Sequence, residues 1–221
     1  MDMNINEAQA LLQCIKECQN ICFERGTRSS KIVDHLHNYI KEQLQSILDK
    51  EIYIVETEVQ VPSINASGQK KCDIVIKKNI NNELTIIAVF PVKFIRGNYK
   101  QNKNNGWETL TGEVSHLHWA NPNMAIIPIN IIFSSIPYKK KNSQLIEKLE
   151  TITYEQSWKI YETLITQPTG VVDMYNYIID VNHICKIGEV YDKCPTFTGF
   201  NTETPFKSFN RVKELLNGHR L

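Results

Sequence analysis

The chain has 221 residues, 42% of them hydrophobic and 22% charged, and a formal net charge of +1. These values suit a soluble globular protein, and the near-neutral charge does not by itself announce a nucleic-acid binder. No apolar run reaches the roughly 18 residues of a membrane span, and the polar N-terminus MDMNINEAQ does not read as a secretory signal, so a cytoplasmic protein with no membrane partner is expected.

In chain order, Asn6–Arg25 reads as a helix through Leu11, Ile15, Cys18 and Cys22. The six cysteines lack paired CxxC spacing and are expected to be thiols in a reducing compartment. Cys14, Cys18 and Cys22 recur every four residues along one helical stripe; packing or a helix–helix contact explains them more simply than a metal cluster. Gly26–Ser30 breaks this helix and supplies caps for the next. Lys31–Lys50 is the clearest amphipathic helix, with Val33, Leu36, Ile40, Leu44 and Ile47 as its apolar stripe. His37 and Glu42 are read as lying off that stripe, on the solvated side.

Ile52–Val61 is β-branched and reads as a strand, with Glu56 and Glu58 on one face, lining a site or facing water. Cys72–Ile76 and Leu84–Phe94 read as paired strands joined through polar Lys77–Glu83. Phe94–Asn105 is expected to be a polar loop, and Trp107–Trp119 a helix through Leu110, Val114 and Leu117. Met124–Phe133 is a short continuous apolar run, a buried strand, with Pro128 arguing for a bulge or an edge. Beyond a basic turn at Pro137–Asn142, Gln144–Leu149 and Glu155–Ile165 read as helical, Tyr175–Val181 as a strand, Cys194–Thr204 as irregular and Phe206–Asn217 as a terminal helix. Trp158 and Tyr161 read as core. The order implies one α/β domain, a mixed sheet flanked by helices, with a helical or irregular extension over 135–221.

Asp73 and Lys93 stand out because charge inside apolar strands is costly to bury without a partner. Hydrolysis of a phosphodiester needs a metal to activate water and hold charge, and Mg²⁺ takes one or two carboxylates with waters and phosphate oxygens. Asp73 and a second acid supply such oxygens, and Lys93 orients the water or neutralises the phosphate. The Val92 carbonyl is a further candidate metal ligand. Lys70, Lys71, Arg96, Lys100 and Lys103 flank this stretch and suit phosphate contacts. Gln101, Asn102, Asn104 and Asn105 suit base or phosphate contacts. His116 and His118, two apart on a helix, point in different directions and do not make a joint zinc site.

The order D-x17-P-V-K at Asp73–Lys93 is similar to the core of the PD-(D/E)XK nuclease superfamily, which includes type II restriction endonucleases. With its flanking helices and strands the resemblance covers Lys31–Ser134. It implies a restriction-endonuclease-like αβββαβ core, a Mg²⁺-dependent nuclease acting on double-stranded DNA, and a homodimer if both strands are cut symmetrically. The family's acid before x-Lys falls on Pro91 here, which leaves two readings. In one, the acid has moved to the following helix, where Glu113 borders the apolar stripe beside Gly112. Glu108 is the rival, nearer Lys93 in sequence but spaced from Asn105 like a capping box. In the other, the fold is inactive and serves binding or assembly.

Overall fold

The structure, a computed structural model, describes residues 2–139, 143 and 145–218; Lys140, Lys141 and Gln144 lie outside them. Helix α1 (Asp2–Arg25) packs on α2 (Ser30–Ile47). Gly26 ends α1 in the left-handed region at φ +88°, its N–H donating to the Cys22 carbonyl at 2.9 Å, the usual glycine stop. Strands β1 (Tyr53–Pro62), β2 (Gln69–Ile80) and β3 (Glu83–Phe90) form an antiparallel meander. The β2–β3 turn is tighter than the sequence suggests. Ile80 pairs with Glu83, and Asn81 and Asn82 both take positive φ, the two-residue turn that asparagine tolerates best.

After one residue, Pro91, the chain continues as β4 (Val92–Ile95). Helix α3 (Tyr99–Ala120) leads to β5 (Ala125–Ile126) and β6 (Ile129–Phe133). Pro91 and Pro128 interrupt neighbouring parallel strands at the same level. Val89 pairs with Ile126 before the break and Val92 with Ile129 after it, while Ile129 N–H donates to the Pro91 carbonyl at 2.8 Å. Each proline lacks an N–H, so strands lose regular pairing there. The Met124–Phe133 run is therefore two strands rather than one.

The C-terminal part departs most from expectation. Ile146–Thr151 is β8, antiparallel to β7 (Ser135–Lys139), where a helix was expected. Glu155–Ile165 holds only two single turns, α4 (Tyr154–Ser157) and α5 (Thr163–Thr166). β9 (Tyr175–Asn182) adds in parallel to β6, and β10 (Thr196–Phe200), expected to be irregular, pairs antiparallel with β9. α6 (Arg211–Gly218) closes the chain. Residues 135–221 are thus not a helical appendage: two of their strands complete the sheet, in which β6 lies between β4 and β9. All five residues of β6 are buried, as a strand flanked on both edges requires. The result is a mixed α/β architecture of six helices and several mixed sheets among the described residues. No helix is long and apolar enough to cross a membrane.

α3 begins eight residues before the expected Trp107 and absorbs the asparagine-rich stretch. Its N-cap is Asn98 in the left-handed region, so the Asn105–Glu108 capping box does not form. The start is held from elsewhere. Glu150 on β8 accepts from the Lys100 N–H at 3.1 Å, and the Asn98 amide exchanges two hydrogen bonds with the Lys139 backbone. A buried carboxylate at a helix N-terminus satisfies orphan N–H groups and the positive end of the dipole.

Candidate active site

β4 leaves β2 at Pro91 and turns its pairing to β6. Asp73 occupies the opening between the two strands. Its Oδ2 accepts the Val92 N–H at 2.7 Å, replacing the ladder bond that the divergence removes. In an extended strand a residue's N–H and C=O point to the same edge, so the Val92 carbonyl is directed to the Asp73 side. Burial pushes the Asp73 carboxyl up from its ordinary value. The Val92 N–H, His37 and Lys93 act against burial, and Glu113 adds to it. Asp73 is a half-buried acid for which burial outweighs the positive charge around it.

Lys93 Nζ reaches Glu113 Oε2 at 3.3 Å, and Lys70 Nζ lies 3.7 Å from Oε1 of the same carboxylate. The Glu113 side chain is 5% exposed. Its position beside the stripe of Leu110, Val114 and Leu117, all buried, turns it inward. Glu108, five residues closer to the N-terminus of α3, is exposed and absent from the site. Gly112 does not explain the approach of α3, since a Cβ there would meet nothing within 4 Å.

A cavity of about 520 Å³ opens against Asp73, Val92 and Lys93, between the N-terminal parts of α2 and α3. Asn102, Lys103 and Asn105 line its rim with Arg96, while Tyr161, a core residue as expected, also contributes. Lys100, Gln101 and Asn104 are exposed on the same two turns of α3. Two of the expected phosphate contacts serve the acids instead: Lys70 faces Glu113, and Lys71 holds Glu58 Oε2 at 2.8 Å.

His37 is the residue the sequence reading misplaced. It is buried at 4% exposure, its Nδ1 2.9 Å from Glu58 Oε1. Its position was legible: seven residues before Leu44, at about 100° per residue, puts it about 20° from the buried stripe. Glu58 faces Asp73 where the β1–β2 pairing skips a step, between the pairs Thr57–Ile74 and Val59–Cys72, its backbone left-handed at φ +59°. Burial opposes ionisation of Glu58, but the hydrogen bonds from Lys71 and His37 outweigh it and hold the carboxyl below its ordinary value. His37, Glu58 and Asp73 each offer one ligand atom, all within 4.8 Å of one another.

Asn130 was also missed, though a lone amide in the run MAIIPINIIF is itself a signal. It pairs with Lys93 across β4 and β6, is fully buried, and donates to Asn176 Oδ1 at 2.8 Å. Its own Oδ1 has no hydrogen-bond partner among the described residues.

Cys14, Cys18 and His35 form a second close group. The Cys18 thiol, hydrogen-bonded to Cys14, and burial push the Cys14 thiol up, and Cys18 lies 3.6 Å from the Ile32 carbonyl. Neutral buried thiols between two helices fit the packing role expected for them. His116 sits against the ring of Trp119, and His118 packs over Gly170; neither joins the site.

No protein-family model matches this chain, and no curated protein matches it.

Proposed function

We propose that the chain is a metal-dependent endonuclease acting on double-stranded DNA, of the PD-(D/E)XK type that its motif order resembles. The observation that carries this reading is that Asp73 and Lys93 line one open cavity, with Lys93 Nζ 3.3 Å from Glu113 and the charges of both Lys93 and Glu113 felt at the Asp73 carboxyl. The order α2-β1-β2-β3-β4-α3-β5-β6 is compatible with the αβββαβ order that the resemblance implies when β3–β4 and β5–β6, each divided at a proline, count as one strand apiece, and Glu113 on α3 would take the part of the acid that Pro91 cannot play.

The donor set fits a divalent cation. Asp73 has one oxygen on the Val92 N–H and the other left for a ligand, and its burial calls for positive charge. Asp73, Glu113 and the Val92 carbonyl are the oxygens that would hold Mg²⁺. A bound Mg²⁺ would supply an activated water and offset charge on the phosphate. Lys93 would hold the attacking water against Glu113 and stabilise the negative phosphate oxygens as attack proceeds. Arg96, Lys103 and the exposed Lys100, Gln101, Asn102, Asn104 and Asn105 would hold the DNA across the cavity mouth. Symmetric cutting of two strands calls for a homodimer.

A second reading, a nuclease-fold protein that binds without cutting, draws on Pro91 and on the ion pairs that already neutralise Glu113. Incubation of mixed-sequence unmethylated duplex DNA with Mg²⁺ separates the two. Discrete fragments from the wild type, lost in Asp73→Ala and Lys93→Ala, support the enzyme; no cleavage by folded protein with several metals and DNAs supports the binding protein.

A further inference from the structure

We propose that His37 and Glu58 are further ligands of the cation held at Asp73, beside the oxygens named above, the imidazole nitrogen making the site take a transition metal such as Mn²⁺ or Co²⁺ in preference to Mg²⁺. This rests on the nuclease reading only for what the bound cation is used for.

The geometry is that of a half-built coordination sphere. Cis ligands on an octahedral ion with bonds near 2.1–2.2 Å lie about 3 Å apart, and His37 Nδ1 stands 2.9 Å from Glu58 Oε1. Asp73 completes a group whose ligand atoms lie within 4.8 Å of one another. The three come from separate elements, α2, β1 and β2. His37 is held by the packing of α2, its side chain 5% exposed, so its ring is fixed on the acids rather than free to turn to water. Glu58 keeps Oε2 on Lys71 and presents Oε1 to His37. Asp73 keeps Oδ2 on Val92 and leaves Oδ1. The cavity that opens on Asp73 also touches His37, giving the ion a way in.

Without a cation, the ionised Glu58 can only accept, so Nδ1 of His37 carries the proton between them. A bound cation would be held by the Nδ1 lone pair of a neutral His37, the ring proton then residing on Nε2, together with the carboxylates of Asp73 and Glu58. One imidazole with two carboxylates is a donor set for Mn²⁺, Fe²⁺ or Co²⁺; Mg²⁺ gains little from nitrogen.

The test is metal binding by the full chain, read by calorimetric titration with Mn²⁺, Co²⁺ and Mg²⁺ and by pulsed electron paramagnetic resonance of the Mn²⁺-loaded protein. Expected are a ¹⁴N coupling from one imidazole and affinity rising from Mg²⁺ to Mn²⁺ to Co²⁺. In His37→Gln, checked as folded by circular dichroism, the coupling disappears and Mn²⁺ and Co²⁺ affinity falls roughly tenfold or more, with Mg²⁺ nearly unchanged. His35→Gln, two residues away on the far side of the same helix and paired with Glu17, keeps the coupling. Bound Mn²⁺ without nitrogen coupling in the wild type overturns the proposal whether or not the variant folds, as does a coupling that survives in His37→Gln. Mg²⁺-dependent cleavage without the coupling removes this inference and leaves the nuclease; the coupling without cleavage does the reverse.

Discussion

At the scale of single residues, the half-buried carboxyl of Asp73 carries a stability cost. Its folded carboxyl is raised by burial, so the folded state holds the proton more tightly than the unfolded chain. The sign follows: Asp73 favours folding at low pH, and that contribution is lost as pH rises through the raised folded value. Asp73→Asn removes the buried charge. At neutral pH without metal it should raise the melting midpoint by a few degrees, since about 1 kcal/mol corresponds to about 2–4 °C in a domain of this size. Divalent cations should stabilise the wild type further and leave Asp73→Asn unmoved; thermal melts with and without Mn²⁺ read both effects. Lys93→Ala leaves Glu113 with only the more distant Lys70. It should lower cleavage at least about a hundredfold with little change in metal affinity, whereas Glu108→Ala should leave cleavage near wild type, because Glu108 is exposed and outside the site.

At the scale of elements, the contacts that set the site's geometry come from far along the chain. α6 is fastened to the start of β9 by Asp173, which pairs with Lys207 and, at 2.7 Å, with Arg211. Burial opposes ionisation of Asp173, but Lys207, the Met174 N–H and Arg211 outweigh it and hold its carboxyl below the ordinary value. A depressed acid contributes stability above its unfolded value, about 3.9, and loses it as pH falls through the folded one. Asp173→Asn should therefore cost about 1–3 kcal/mol at pH 7, with the gap to wild type closing as pH drops below about 4; urea titrations across pH measure it. Gly170, just before the bridge from Val171 to Ile126, is the most crowded of the glycines among the described residues. It sits at φ +71°, and a Cβ there would stand 2.6 Å from His118 Nδ1. Gly170→Ala should destabilise by about 2 kcal/mol or more by pushing α3 off the sheet, with cleavage falling in step as Glu113 moves.

At the scale of the whole molecule, a nuclease that cuts both strands symmetrically should sediment at twice the 25.6 kDa chain mass. Equilibrium sedimentation with and without duplex DNA checks this; a monomer in both states would point to nicking of one strand. Much of the architecture could be read from local pattern. The α2 stripe at Leu36, Ile40 and Leu44 (Val33, expected in it, is 45% exposed and Ile32 takes its place), a turn within Lys77–Glu83 and the buried run of β6 are short-range signals, set by side-chain periodicity and backbone preference within a few residues. The motif pair Asp73 and Lys93 was legible for a related reason, because charge in an apolar strand is conspicuous in one dimension. Other features depend on partners that sequence distance conceals. The first two turns of α3 are poor helix formers that Glu150, fifty positions away, holds in place. β8 is a strand because β7 offers it a ladder. His37 becomes part of the site only because α2 lays it against Glu58, and Glu58 because β1 sets it opposite Asp73. Local sequence thus specified α1, α2, the β1–β3 strands and β9, and which strands carry the charge, but not the start of α3, β8 or β10. Long-range packing chose between Glu113 and Glu108 and brought an imidazole to the acids, since burial and ion pairing depend on neighbours in space rather than along the chain.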